Sequence, residues 1–160
     1  MKKIFITLVC FLIIFIFSSI ASSKIALLSL SDMVEKAEMI VIGKVVGVEE
    51  TNEKQEEFSF SKVTIKVEKI LKGKQDTKSI DVYFLPTIED EPNFSLDDKG
   101  IFFIHKYQNK YRLVQGIAGK INIENDEAKN IYMLKQKREQ KLDSFVHEIE
   151  EALEKFKTKK

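Results

Sequence analysis

Two histidines, one cysteine and a run of carboxylates are the side chains here that could do chemistry. His105 lies in an apolar strand pattern beside Lys106 and Tyr107, and His147 lies in a Glu-rich helical pattern. Imidazole titrates near neutral pH, but it acts as a general base only where it reaches a reacting proton. No His-x-x-x-His or Gly-x-Ser-x-Gly spacing accompanies either residue. His105 therefore reads as a satisfied histidine at a strand end, and His147 as a solvated one. The single cysteine, Cys10, sits inside an N-terminal apolar run that continues through Phe11 to Phe17, so it reads as an apolar filler and not as a lipid-attachment site. Without a further cysteine, thiolate zinc sites and Cys-His catalysis are excluded. No catalytic residue, metal ligand or cofactor-binding residue is assigned.

The carboxylates Glu89, Asp90, Glu91, Asp97 and Asp98 fall between Pro86 and Gly100, a stretch that holds both prolines of the chain. Outside a cell such acids could gather on calcium, but the alternating Asp-x-Asp-x-Asp-Gly spacing of a calcium loop is missing. They read as a long, solvated loop, and long loops in compact domains are often functional. Phe94 and Leu96 lie in the same loop. Apolar residues there either fold back onto the domain or form a contact surface. Glu89, Asp90, Glu91, Phe94, Leu96 and Asp97 are accordingly the candidate partner-binding loop.

The elements that must carry this loop begin with two adjacent strand patterns. Met39 to Glu50 is β-branched almost throughout and is interrupted by Gly43 and Gly47. Phe58 to Leu71 alternates with a period of two, with one slip between Phe60 and Val63 that reads as a bulge. A polar turn, Glu49 to Glu57, joins them, and Lys72-Gly73 closes the second. Two long, bent, neighbouring strands are how small barrels begin. A third strand covers Ile80 to Phe84, a fourth Ile101 to Tyr107, and a turn at Gln108-Asn109-Lys110 leads to Tyr111 to Val114. Gly116 to Ile123 reads as a glycine-punctuated last strand. The fourth strand is apolar on both faces, as a central strand is.

Helical patterns flank the strands. Leu30, Met33, Val34 and Ala37 share one face of a short helix capped by Ser31 or Asp32. Leu142, Phe145, Ile149, Leu153 and Phe156 mark an amphipathic C-terminal helix capped by Asp143 or Ser144. The expected class is mainly β with flanking helices.

At the N-terminus, Lys2 and Lys3 precede the apolar segment 4–17 and a small-residue exit at Ser19 and Ala21. That order predicts a secretory signal peptide over 1–21, because the run is short for a spanning helix of roughly 20 residues. An uncleaved anchor, the only membrane contact foreseen, would hold the same domain on the outer face. Losing Lys2 and Lys3 from 26 basic residues leaves 24 against 25 acidic ones, so the exported domain is nearly neutral. No positive field recruits nucleic acid. With 44% hydrophobic and 32% charged residues the chain is globular, and it has room for one domain with its own core.

The run Ala37-Glu38-Met39-Ile40-Val41-Ile42-Gly43-Lys44-Val45, with Val67-Glu68-Lys69-Ile70-Leu71-Lys72-Gly73, resembles an "A-D-x-I-V-x-G-K-V … V-x-x-x-L-K-G" pattern. That pattern belongs to bacterial exported domains similar to the five-stranded OB barrel of the netrin and metalloproteinase-inhibitor module. Gly100 to Ile104, Tyr111 to Val114 and Gly119 to Ile121 resemble its sequel. Glu38, His105 and Ile121 depart from it. The resemblance implies an OB-like barrel over 30–124, preceded by a lead-in (22–29) and followed by a charged segment and helix (125–160). Gly43, Lys44, Lys72, Gly73 and Gly119 would be structural positions. The inhibitors' N-terminal cysteine wedge has no counterpart after the signal. The function expected is a non-enzymatic binding module. It would contact a protein or glycan outside the cytoplasm through the rim segments Glu49 to Glu57 and Thr87 to Asp98. Inhibition of an extracellular hydrolase is the alternative, and a cell-envelope enzyme with an unidentified site is the third.

Overall fold

The computed structural model describes residues 27–55, 58–86, 91–129 and 140–158. The expected signal peptide, most of the lead-in, and the candidate residues Glu89 and Asp90 lie outside the described residues.

Among the described residues the chain is mainly β with two helices. Helix α1 (Leu30–Lys36) starts at Ser29, whose hydroxyl accepts from the Asp32 backbone N–H at 3.1 Å while the Asp32 carboxylate accepts from the Ser29 N–H at 3.2 Å. The cap is thus Ser29 and not Ser31 or Asp32, because a reciprocal capping box needs the acid three positions into the helix. At the other end Lys72 donates from Nζ to the carbonyls of Val34 (2.8 Å), Glu35 (3.3 Å) and Ala37 (2.5 Å). A cation at the C-terminal carbonyls satisfies orphan acceptors and opposes the helix dipole.

Strand β1 (Met39–Gln55) is antiparallel to both β2 (Phe58–Lys72) and β4 (Lys99–Tyr107), and β3 (Ser79–Phe84) continues the sheet beyond β2. β1 and β2 therefore run well into the segment expected to be a polar turn. β5 (Lys110–Leu113) follows a two-residue turn in which Gln108 and Asn109 both have positive φ (45° and 67°). That sign pattern fits the twist of a tight hairpin. Residues 116–119 form a 3-10 turn and not a strand, so Gly119 stands in that turn. Beyond it lie β6 (Lys120–Glu124), β7 (Glu127–Lys129), β8 (Gln140–Lys141) and helix α2 (Leu142–Lys157). The helix begins at Lys141 with no side-chain cap, and Asp143 lies in its first turn. The short strands β7 and β8 fall in sequence too charged and too brief to show an alternating pattern.

Among the described residues no closed five-stranded barrel forms. The hydrogen-bonded sheet is open, with eight strands in the order β3-β2-β1-β4-β6-β7-β8 and β5 also on β4. The pairings make β3 and β5 both parallel to β1, and they lie side by side with no ladder between them among the described residues. After β5 the chain turns at Gln115 and Gly116, both with φ 56°, and continues along β4 as β6 instead of zipping onto β3.

The sheet carries a hydrophobic core on each face. Met39, Val41, Val45, Val63, Ile65, Ile80, Val82, Phe84, Phe102, Ile104 and Leu113 fill the inside of the curl formed by β1 to β5. Ile40, Ile42, Ile101, Phe103 and Ile121 face the other way, against Met33 and Val34 of α1 and Phe145, Val146 and Ile149 of α2. The irregularity expected in β2 falls in β1. Val45 pairs with Ile65 and Gly47 with Thr64, leaving Val46 as the extra residue, 48% exposed. Ser61, which is buried, takes the inward place between Phe60 and Val63, so β2 keeps its register with β3. At Gly43 a Cβ would stand 2.5 Å from the Lys66 carbonyl oxygen, and Gly73 adopts φ 113°, a region reserved for glycine.

Ile65 is completely buried in the inner cluster. An Ile65→Asp chain should lose about 4 kcal/mol of stability through an unpaired buried carboxyl. Urea unfolding measures it, and an unchanged midpoint would place Ile65 outside the core.

Candidate functional site

The described part of the second rim segment, residues 91–98, is pinned to the sheet at several points. Phe94 packs against Phe84 (ring centroids 4.9 Å apart) and lies over Phe102 at 6.4 Å. Lys120, only 8% exposed, donates to the Asn93 carbonyl at 2.7 Å and to Asp98 Oδ2 at 2.6 Å, with its ammonium 4.9 Å from the Phe94 ring centre. Asp98 Oδ2 also accepts from the Ser95 N–H at 2.9 Å. Asp97 has φ 70°; its N–H donates to the Val45 carbonyl while the Val45 N–H donates to the Asp98 carbonyl. Two residues thus oppose one across a bulge whose first residue is left-handed, a place usually held by glycine and tolerated by Asp. Lys44 pairs with Asp97 at 2.8 Å. Phe94 therefore folds back, whereas Leu96, at the tip of the Ser95–Asp98 turn, stays 64% exposed.

The acidic residues described here do not share a cation. Glu91 pairs with Arg112, Asp97 with Lys44 and Asp98 with Lys120. Among the described residues no three His, Cys, Asp or Glu side chains gather as a metal site. This part of the loop is an anchor for the sheet, not the fully solvated acidic segment that its composition suggests.

Both rim segments meet on β5. Glu53, from the first, pairs with Lys110, and Glu91, from the second, pairs with Arg112. Lys110 and Arg112 are two residues apart and so share one face of the strand. That face is aromatic. Lys110 Nζ lies 5.1 Å from the Tyr83 ring centre and 5.7 Å from that of Phe60, and the Arg112 guanidinium lies 5.8 Å from Phe60 and 5.9 Å from Tyr107. Phe60 and Tyr83 meet edge to face at 6.4 Å. Such cation–π contacts contribute roughly 0.5–1 kcal/mol each where partly exposed. Sequence patterns marked Phe60 and Tyr83 only as strand residues. The i, i+2 placement of Lys110 and Arg112 in a predicted strand is the one signal that could have placed them together.

His105 is the cross-strand partner of Arg112 and lies on this face. Partial burial, then the Arg112 charge, hold its imidazole below the usual pKa, with Glu38 acting in the opposite sense. The net shift favours the neutral imidazole. His147 is on the exposed side of α2, 3.3 Å from Glu151 and far along the chain from His105.

Glu91 combines two opposing influences. Burial pushes its carboxyl above the usual range, and Arg112 only partly offsets this. The native state therefore holds the proton more tightly than the unfolded chain does. This group adds stability as pH falls from the raised value towards the ordinary carboxylate value, the reverse of a simple exposed ion pair. Glu91→Gln should flatten that part of the pH–stability curve, read by thermal midpoints between about pH 4 and 7. A wild-type chain that loses stability faster than the variant over this window would reverse the assignment. Lys120→Met keeps the bulk but takes the ammonium donor from the Asn93 carbonyl and the cation from Asp98. It should cost about 2 kcal/mol in urea unfolding and expose the Phe94 loop to proteolysis. An unchanged cleavage rate would show that Lys120 does not hold the loop.

No family profile matches this chain, and no curated protein matches it.

Proposed function

We propose that the chain is an exported, non-enzymatic binding module, an OB-like barrel left open at one seam. Its contact surface is the aromatic and charged face of Phe60, Tyr83, Tyr107, Lys110 and Arg112. The observation that carries this reading is the convergence of both rim segments, through Glu53 and Glu91, on that one face of β5. In an OB barrel the face of strands 2 and 3, together with the loops after strands 1 and 4, takes the ligand. The Phe60–Tyr83 pair bridges β2 and β3, and Tyr107 and Lys110 flank the turn after β4. Aromatic rings interleaved with polar groups suit a protein or glycan partner, since each ring offers apolar area at low entropy cost. The balanced charge of the patch gives no reason to expect nucleic acid. The N-terminal basic, apolar and small-residue order supports export.

A second reading, inhibition of an extracellular hydrolase by loop insertion, is favoured by Leu96. This exposed apolar side chain stands at the tip of a turn held by Lys120, Asp98 and the Val45 backbone. A pre-organised loop loses little entropy when it enters a cleft.

One capture experiment from the native host's envelope and culture fluid separates the readings, with the full-length chain as bait. Tyr107→Ala with Lys110→Ala should abolish recovery of a partner that the wild type retains, while Leu96→Asp leaves it unchanged. Loss with Leu96→Asp alone would move the contact to the loop tip. Retention by both variants would overturn the proposed surface.

A further inference from the structure

Between the outer edges of β3 and β5 runs a cleft of about 330 Å³, lined by Thr77, Ser79, Asp81, Tyr83, Asn109 and Tyr111, with Lys110 at its side and Met39 and Ile80 beneath. It lies where the curled sheet fails to close, so the facing backbone edges carry no ladder among the described residues. Resting on the binding-module reading above, we infer that this cleft binds a neutral saccharide.

Three observations select that chemistry. The first is charge: Asp81 already accepts from the Thr64 hydroxyl at 2.7 Å and lies 3.6 Å from Lys62, while Lys110 is paired with Glu53. The cleft therefore holds no unbalanced charge to attract a phosphate, a carboxylated chain or a cation. The second is the lining: the Tyr83 ring on the outer side of the seam and the Tyr111 ring on its inner side, with a carboxylate, an amide and two hydroxyls, border an apolar floor. Ring faces take the C–H face of a sugar, and the polar groups can both donate to and accept from its hydroxyls. The third is length. An added peptide strand needs roughly 17 Å of edge, about five residues. A strand filling the seam must pair with both edges; β3 offers six residues, but β5 offers four, of which only Lys110 and Tyr111 line the cleft, and the Lys110–Tyr83 contact spans the seam. A compact ligand fits that space better than a strand.

The probe is triacetylchitotriose, a neutral sugar with stacking faces, hydroxyls and acetamide groups, titrated into the full-length chain and followed by amide and tyrosine NMR shifts. A Val-Thr alternating hexapeptide serves as the competing ligand. The expected result is saturable shifts confined to residues 77–83 and 109–111 with the sugar and none with the peptide. Asp81→Asn and Tyr111→Phe, which preserve shape, should each weaken binding up to about tenfold. Shifts caused by the peptide alone, shifts elsewhere on the chain, or silence at every attainable sugar concentration would overturn the inference. Silence while Tyr107→Ala with Lys110→Ala still abolishes capture would overturn the saccharide assignment and leave the binding-module reading standing.

Discussion

Every other element depends on the double burial of β1. Of its 17 residues, Ile40 to Lys44 are paired on both edges, to β2 and β4, and side chains from Met39 to Val45 feed both cores. Ile40 and Ile42 support the helices, and Val41 and Val45 fill the curl. A straight strand could not satisfy both cores while the sheet rolled. The register shifts near Gly43 and Val46 provide the bend, and the missing Cβ at Gly43 lets the Lys66 carbonyl close in. The Val46 bulge then places Val45 where its backbone can bond residues 97 and 98. The geometry of β1 thus fixes the position of the rim loop as well as the core.

Charge is used locally, not as a field. The described acids of the loop, Glu91, Asp97 and Asp98, each pair with a basic strand residue, and the partly buried pairs, Glu91 with Arg112 and Lys120 with Asp98, hold the loop to the sheet. Desolvating such groups is costly, and Glu91 carries that cost in its raised pKa. What these contacts provide is position. Phe94 is drawn inside, Leu96 is left at the tip, and Arg112 is fixed above Phe60.

Much of the β content was legible because its burial is periodic. Val63 and Ile65 alternate with polar residues, and Ile101 to Ile104 are apolar on both faces because both faces are covered. The misreadings have physical causes. Ser61 is small enough to occupy an inward place, so a strand in unbroken register with β3 looked as if it slipped after Phe60. Ser29 caps α1 immediately before Leu30, and Asp32, at the third helical position, completes the capping box instead of opening the helix. The acidic loop looked solvated because composition does not reveal that Lys44, Arg112 and Lys120 come from distant strands to meet it. The face on β5 was hardest to see, since it joins residues 53, 60, 83, 91, 107, 110 and 112, and their proximity exists only once the sheet has curled.

The open seam follows from the same curl. Closing β3 against β5 would require a parallel ladder between strands of six and four residues, and β5 ends where Gln115 and Gly116 turn the chain aside. So short a parallel pairing would gain few bonds, whereas turning aside lets Ile121 and Ala128 join the helix-side core. The fold therefore gives up ladder bonds at the seam and buries apolar area elsewhere, the larger favourable term per residue. What remains is a cleft with polar edges and an apolar floor, beside the one face where both rim segments meet.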